Sequence, residues 1–170
     1  MLTNEIIKKK INELMEQYSL KTIPVDLNKV LKKEKIEVVE KDFTEYENKV
    51  NKQISGMLYI DGNTKLIFVN KRDNKGRQNF TIAHELGHYF LHGGKESSNE
   101  VFVSFRGDHN LREAEADRFA AELLLPAGRV REEYKSVIYP TVSYLAEKFN
   151  VSKQAMGIKL DQMGLSYIGL

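Results

Sequence analysis

The sequence predicts an α+β fold in which a small antiparallel sheet packs on helices. Residues 56–60 and 65–69 are rich in apolar residues and flank an Asp-Gly-Asn-Thr segment at 61–64, a pattern typical of a β-hairpin. Residues 4–18 and 112–125 instead carry apolar residues every three or four positions, as amphipathic helices do. Together these segments indicate helices packed on one small sheet, which is the arrangement of the α+β class.

The elements between these segments are short. Asp26 is placed to cap a helix that runs to Leu31, and residues 36–39 have the composition of a strand. Residues 93–110 are rich in Gly, Ser, Asn and charged residues, which predicts a mobile loop. Within that loop, residues 101–105 could order as a strand or as a lid.

The helix that follows the predicted hairpin contains the pattern His84-Glu85-Leu86-Gly87-His88. Four residues along a helix amount to about 6 Å of rise and about 40° of rotation, so both imidazoles leave the same face. Two imidazoles held in this way can bind one Zn²⁺, and Glu85 lies close enough to take a proton from water. This is the pattern of zinc hydrolases. The alternative is a helix with two histidines that are exposed or hydrogen-bonded in the core.

Catalytic zinc usually has three protein ligands, so a third is required. His92 lies a further turn along the same helix, but one straight helix cannot bring ligands spread over about 12 Å onto one ion. Local packing or hydrogen bonding is expected for His92 instead. Glu113 and Asp117 lie on the apolar side of the second helix, where a charge is costly unless it is paired or bound to metal. This pattern favours Glu113 as the ligand and Asp117 as the hydrogen-bond partner of a ligating histidine.

The opposite side of this second helix is predicted to face solvent, since it carries three charged residues: Glu115, Arg118 and Glu122. Four alanines make the helix thin enough to approach the histidine helix closely: Ala114, Ala116, Ala120 and Ala121. Pro126 is expected to end it. An internal salt bridge from Glu113 or Asp117 to Arg112 or Arg118 is the alternative to a metal site.

The C-terminal part of the chain has the rhythm of two helices joined by a turn. Asn150 supplies the turn, Ser152 caps the second helix and Gly164 ends it. Four side chains could face outward to read DNA: Lys153, Gln154, Lys159 and Gln162. The excess of positive charge is small, so a hairpin that packs on the core or grips a partner is favoured over DNA binding. We predict a core at residues 1–135 and an extension at residues 136–170.

Composition narrows the classes of partner and compartment. The 26 basic and 24 acidic residues nearly balance, with a net charge of +2, which argues against a large nucleic-acid footprint. The absence of Cys excludes disulfides and thiolate zinc sites and suits a reducing compartment, so a cytoplasmic protein is expected. No stretch approaches the roughly 18 apolar residues needed to span a bilayer, and no membrane partner is expected.

The two motifs resemble the ImmA/IrrE metallopeptidases. The resemblance is carried by residues 81–92, TIAHELGHYFLH, and residues 113–126, EAEADRFAAELLLP, and extends to residues 23–26 and 54–59. It differs mildly at Leu125, where many members have Met. The resemblance implies a zincin-like fold, Zn²⁺ bound by three side chains, a catalytic base, and cleavage of a helix-turn-helix repressor of a mobile element, phage or stress regulon. Those three ligands would be His84, His88 and Glu113, with Glu85 as the base.

The expected reaction also needs a donor for the oxyanion that forms during hydrolysis. Four residues could supply it, and the sequence does not choose between them: His109, Tyr89, Tyr134 and Tyr139. A function of a different class stays open, in which the chain is a regulatory binding module with a structural zinc site. In that case the C-terminal hairpin would contact protein or DNA.

Overall fold

The computed structural model of the chain describes residues 2–93, 99–108 and 110–169. In these ranges the helices are α1 (Asn4–Gln17), α2 (Asn28–Glu34), α3 (Thr44–Val50), α4 (Lys75–Leu91), α5 (Leu111–Leu124), α6 (Ala127–Lys135), α7 (Val142–Phe149) and α8 (Lys153–Gln162). The strands are β1 (Glu37–Lys41), β2 (Ile54–Asp61), β3 (Thr64–Asn70) and β4 (Asn99–Phe105). The predicted α+β class is confirmed, and residues 101–105 belong to a strand.

The four strands form one sheet in the order β1-β3-β2-β4. The predicted hairpin joins β2 to β3, and Gly62 adopts a positive φ of 55° in its turn, a conformation that suits glycine. Strand β4 is antiparallel to β2, but β1 is parallel to β3, so the sheet is mixed and not antiparallel throughout. A tight turn dictates direction only for the strands that it joins, and the chain reaches β3 from β1 through α3 and β2.

Helix α4 contacts β2 and β3 on one side and α5 on another. Two glycines permit these close contacts. A Cβ atom on Gly56 of β2 would lie 2.4 Å from Thr81 Cγ2, and one on Gly87 would lie 3.0 Å from Ala116 Cα. Small residues therefore bring α4 against both the sheet and α5. The close approach predicted from the alanines of α5 is confirmed at Ala116.

The C-terminal hairpin forms as predicted. Asn150 ends α7 with a positive φ of 51°, and the Ser152 side chain caps α8 by accepting a hydrogen bond from the Ala155 N–H. Its turn lies against the start of α4, where Asn79 Nδ2 donates to the Asn150 carbonyl at 3.0 Å. A Cβ on Gly76 would lie 2.7 Å from the Val151 carbonyl carbon, so the two backbones are in direct contact.

One of the four side chains that could face outward to read DNA does not do so. Lys159 is 4% exposed, and its Nζ lies 2.9 Å from Glu122 Oε1 of α5, which agrees with the favoured packing of the hairpin on the core. The other three polar residues of this set are exposed: Lys153, Gln154 and Gln162. The hairpin therefore uses one of its cations to pack on the core.

Helix α5 ends at Leu124, before Pro126, as expected. Pro126 then precedes the first residue of α6, a position where the missing N–H costs nothing. No helix among the described ranges is long and apolar enough to cross a membrane.

Candidate metal centre

Helix α4 presents two histidines on one buried face. The side chains of His84 and His88 are 8% and 1% exposed, and their Nε2 atoms lie 3.1 Å apart. The Asn74 side chain caps the helix by accepting a hydrogen bond from the Arg77 N–H. This cap fixes the residue at which the helix begins. The four-residue spacing thus converts directly into two nitrogens that point at one place.

Glu113 completes this group from the first turn of α5. Its Oε2 lies 3.1 Å from His84 Nε2, and its Oε1 lies 3.1 Å from His88 Nε2. The Asn110 side chain caps α5 by accepting from the Glu113 N–H, which fixes the residue at the helix end. One ligand atom from each of the three residues lies within 4.8 Å of the others, which could hold a metal ion.

The donor set fits a metal ion. Tetrahedral ligands at 2.0–2.1 Å from a zinc ion are about 3.3 Å from one another. The nitrogen–nitrogen and nitrogen–oxygen distances of 3.1 Å are close to that spacing. The predicted alternative, a salt bridge from Glu113 or Asp117 to Arg112 or Arg118, does not form among the described residues, since both carboxylates pair with histidines.

Charge within the group supports the same conclusion. Burial would lower the pKa of His84, but hydrogen bonds to the Asp117 and Glu113 carboxylates outweigh it and raise the pKa to about 10. Burial would raise the pKa of Glu113, but its bonds to the two imidazoles outweigh it and lower the pKa to about 2. The proton between His84 Nε2 and Glu113 Oε2 thus occupies a place that a metal cation could take, because the cation would interact with the same Glu113 carboxylate.

Glu85 lies next to the cluster, beneath strand β4. It is fully buried, its Oε1 accepts a hydrogen bond of 2.6 Å from Ser104 Oγ, and its Oε2 has no partner among the described residues. Burial raises the pKa of Glu85, although the nearby imidazoles and Ser104 oppose the rise. A buried carboxylate with one free oxygen and a raised pKa is suited to accept and return a proton.

Ser104 was not among the residues expected from the sequence. It lies on β4, and the pairing of β4 with β2 brings it over α4. The sequence offered a strand-like segment there but no pattern that assigned it to this edge of the sheet. Phe102 of the same strand stacks on His88, with ring centroids 5.1 Å apart and an interplanar angle of 17°.

The outer nitrogens of both histidines are hydrogen-bonded. His84 Nδ1 lies 2.8 Å from Asp117 Oδ1, which is the position predicted for Asp117, although that side chain is 58% exposed and not inward-facing. His88 Nδ1 lies 2.9 Å from His92 Nδ1. His92 also contacts Glu115, with 3.1 Å between Nε2 and Oε2, in agreement with the local bonding expected for His92.

The prediction that Glu115 faces solvent is wrong, because Glu115 is only 5% exposed. The helical-wheel prediction assumed that other elements cover only one side of α5. In the structure α1 packs on α5, and Glu115 also accepts a hydrogen bond from the Leu2 N–H. The other two residues of that predicted face, Arg118 and Glu122, are half-buried.

A cavity of about 180 Å³ opens beside His84, Glu113 and Asp117.

Of the four candidates for an oxyanion donor, Tyr89 is buried and its hydroxyl contacts Lys65 and Glu34. The Tyr134 hydroxyl donates to the Ser166 carbonyl, and Tyr139 is 76% exposed. His109 lies outside the described residues.

Two comparisons with known proteins agree with this geometry. The model of a peptidase family, M78, described as the IrrE N-terminal-like domain, matches residues 31–161. The chain is also 34% identical over 112 residues to Metallopeptidase ImmA of Bacillus subtilis (strain 168). That alignment covers 66% of each protein, so the chain spans just under two thirds of the relative's length. The chain therefore belongs to the M78 family of metallopeptidases, with an IrrE N-terminal-like domain.

Proposed function

We propose that the protein is a zinc-dependent endopeptidase that cleaves a helix-turn-helix transcriptional repressor. The observation that carries the proposal is a triad of two imidazoles and one carboxylate beside the buried carboxylate of Glu85. A structural zinc site is closed by four ligands and has no use for such a carboxylate. A hydrolytic site needs it as a base.

His84, His88 and Glu113 would hold the ion. Two nitrogens and one carboxylate oxygen form a donor set typical of catalytic zinc, which keeps its fourth position open. The absence of Cys leaves this set of ligands as the available type in the chain. When bound, the ion would lower the pKa of water and polarise a peptide carbonyl.

Glu85 would act as the general base. Its free Oε2 would accept a proton from the attacking water and later deliver that proton to the nitrogen of the leaving amine. Ser104 would hold the other oxygen, so that the carboxylate presents one fixed oxygen to the water. Asp117 would accept from His84 Nδ1–H, which leaves His84 Nε2 free to bind the metal.

Strand β4 would hold the substrate. It lies at the edge of the sheet, and Ser104 and Phe102 place it directly above the candidate site. A peptide in extended form could add to this edge by main-chain hydrogen bonds. A proline at a β4 position whose N–H faces away from β2 removes a donor for the peptide without breaking the sheet. Unchanged cleavage after that substitution would contradict this mode of binding.

The repressor as substrate is proposed from the resemblance of residues 81–92 and 113–126 to the ImmA/IrrE metallopeptidases. The test is incubation of the purified protein with a helix-turn-helix repressor encoded beside it, followed by mass analysis of the fragments. We expect discrete fragments that disappear with a chelator and return with Zn²⁺.

The control for this test is Glu85→Gln, which removes the base but no metal ligand. We expect the variant to retain its metal content and to lose turnover by a factor of about 10² to 10⁴. Retained turnover would reject Glu85 as the base. Binding of the repressor by the wild type without any fragment would instead favour the regulatory binding module.

A further inference from the structure

His92 and Glu115 form a buried pair behind the candidate metal centre. Their side chains are 5% and 7% exposed, and His92 Nε2 lies 3.1 Å from Glu115 Oε2. On its other side, His92 Nδ1 lies 2.9 Å from Nδ1 of His88. The second oxygen of Glu115 accepts from the Leu2 N–H. A continuous series of contacts therefore leads from the backbone to the outer nitrogen of His88.

The positions of the hydrogens along this series follow from the partners. A neutral imidazole has one N–H and one acceptor nitrogen, so two facing Nδ1 atoms must divide these roles. If His88 binds a metal through Nε2, its hydrogen lies on Nδ1 and is donated to His92 Nδ1. The hydrogen of His92 then lies on Nε2, where the Glu115 carboxylate accepts it. Every nitrogen and oxygen of the series has one consistent role.

We infer that His92 and Glu115 are positioning residues that hold His88 in the tautomer and orientation required for metal binding. An ionised carboxylate accepts hydrogen bonds and cannot donate them, so Glu115 sets the direction of the series from its far end. The inference rests on the proposed metal site, but it does not depend on which substrate is cleaved. Neither residue touches the place where substrate would react.

The two histidines of the triad are thus supported in different ways. His84 bonds directly to Asp117, whose side chain is 58% exposed, so water can replace that carboxylate if it is lost. His88 is 1% exposed and relies on a partner that is itself 5% exposed. Because these side chains are almost inaccessible to solvent, the loss of His92 leaves the Nδ1–H of His88 without an acceptor.

The first test compares His92→Leu with His92→Asn. Leucine removes the acceptor, whereas the Oδ1 of asparagine lies about where Nδ1 of histidine lies and can accept from His88. Zinc affinity is measured by competition with a chromophoric chelator. We expect His92→Leu to bind zinc about 10- to 100-fold more weakly than the wild type, and His92→Asn to recover most of the loss.

Gln78→Leu is the matched control. Gln78 is also buried on α4, and it donates to the Asn70 carbonyl at 3.1 Å, far from the series. Its loss should lower stability without a change in zinc affinity. Wild-type affinity in His92→Leu would overturn the inference alone, whereas a wild-type protein that binds no metal would overturn the proposed function as well.

The second test needs no variant. Long-range ¹H–¹⁵N spectra of the zinc-loaded wild type report which nitrogen of each imidazole carries the hydrogen. We expect the Nδ1–H tautomer for His88 and the Nε2–H tautomer for His92. An Nδ1–H tautomer of His92 would overturn the inference, even if the leucine variant fails to fold.

Discussion

The hydroxyl of Ser104 stabilises the charged form of Glu85, because its hydrogen bond lowers the pKa of a carboxyl that burial raises. Ser104→Ala should therefore raise the pKa of Glu85 further. Since the proposed base must be ionised to accept a proton, the acidic limb of the pH–rate profile should move to higher pH and activity below neutrality should fall. Ser104→Thr keeps the hydroxyl and is the control. An unchanged acidic limb in Ser104→Ala would show that this bond does not tune Glu85.

The pKa of His84 gives a prediction for the metal-free protein. The value in the fold, about 10, lies above the ordinary value of 6.5, so the contribution of His84 to stability is complete below about pH 6.5. It is lost as the pH rises towards 10. We expect the metal-free protein to lose stability over this range, and His84→Gln to lose less. Denaturant unfolding at several pH values measures both.

Zinc affinity should rise with pH, whereas the stability of the metal-free protein should fall with pH. A proton competes with the metal for His84 Nε2, so affinity should rise as the pH is raised through the same range. Zinc titrations in buffers of different ionisation enthalpy should report the release of about one proton from His84 near pH 8. No proton release would indicate that His84 is already neutral without metal.

At the residue scale, the clustering of the three candidate ligands could be predicted from spacing and helical faces, since each helix carries its own candidates. His84 and His88 share one helix face, and Glu113 was found as a charge on an apolar stripe. Ser104 and the contact of His92 with Glu115 depend on how separate elements meet, which a helical wheel does not contain. Glu115 was misplaced for this reason, because the cover from α1 lies nearly a hundred residues away along the chain.

At the scale of elements, the distance between α4 and α5 determines whether Glu113 reaches the histidines. Gly87→Ala would place a Cβ 3.0 Å from Ala116 Cα, which is backbone and cannot move aside alone. We expect a loss of about 1–3 kcal/mol in the free energy of unfolding and a weaker zinc affinity, because the helices must separate. Equilibrium unfolding and chelator competition measure the two effects.

Gly128→Ala is the matched control for that substitution. Gly128 lies in helix α6, and a Cβ there would meet nothing within 4 Å. Alanine should raise the free energy of unfolding by about 0.5–1 kcal/mol through helix propensity and leave zinc affinity unchanged. Equal effects of the two substitutions on zinc affinity would contradict the role of the contact between Gly87 and Ala116.

Most of the elements were predictable, because they are encoded by local periodicity, caps and turns, but α3 and α6 were not predicted. The hairpin of β2 and β3 follows from the residues at 61–64, and the C-terminal helices follow from Asn150 and Ser152. The direction of β1 was not predictable. It depends on pairing with β3 across α3 and β2, and a local pattern does not encode a long-range partner.

At the scale of the whole molecule, the C-terminal hairpin is attached to both helices that carry the candidate ligands. Its turn lies on the start of α4, and Lys159 of α8 pairs with Glu122 of α5. This arrangement supports a role of the hairpin in the stability of the core. The proposed division into residues 1–135 and 136–170 stays a prediction.

Lys159→Ala tests that role. The substitution removes a buried ion pair and its packing, and we expect the free energy of unfolding to fall by about 2 kcal/mol. Lys153→Ala, at an exposed position of the same helix, should change it by no more than about 0.5 kcal/mol. Chemical denaturation of both variants is the measurement. Equal small changes would mean that the hairpin contributes little to the core.

The burial of Glu85 has a consequence for the stability of this chain. An ionised carboxylate deprived of water weakens the native state, so apolar or neutral replacements at this position should make the folded protein harder to melt. Selection for heat resistance alone would thus discard the group that the proposed proteolysis requires. Under the proposed function, the stability of the fold and the rate of turnover are opposed at this single side chain.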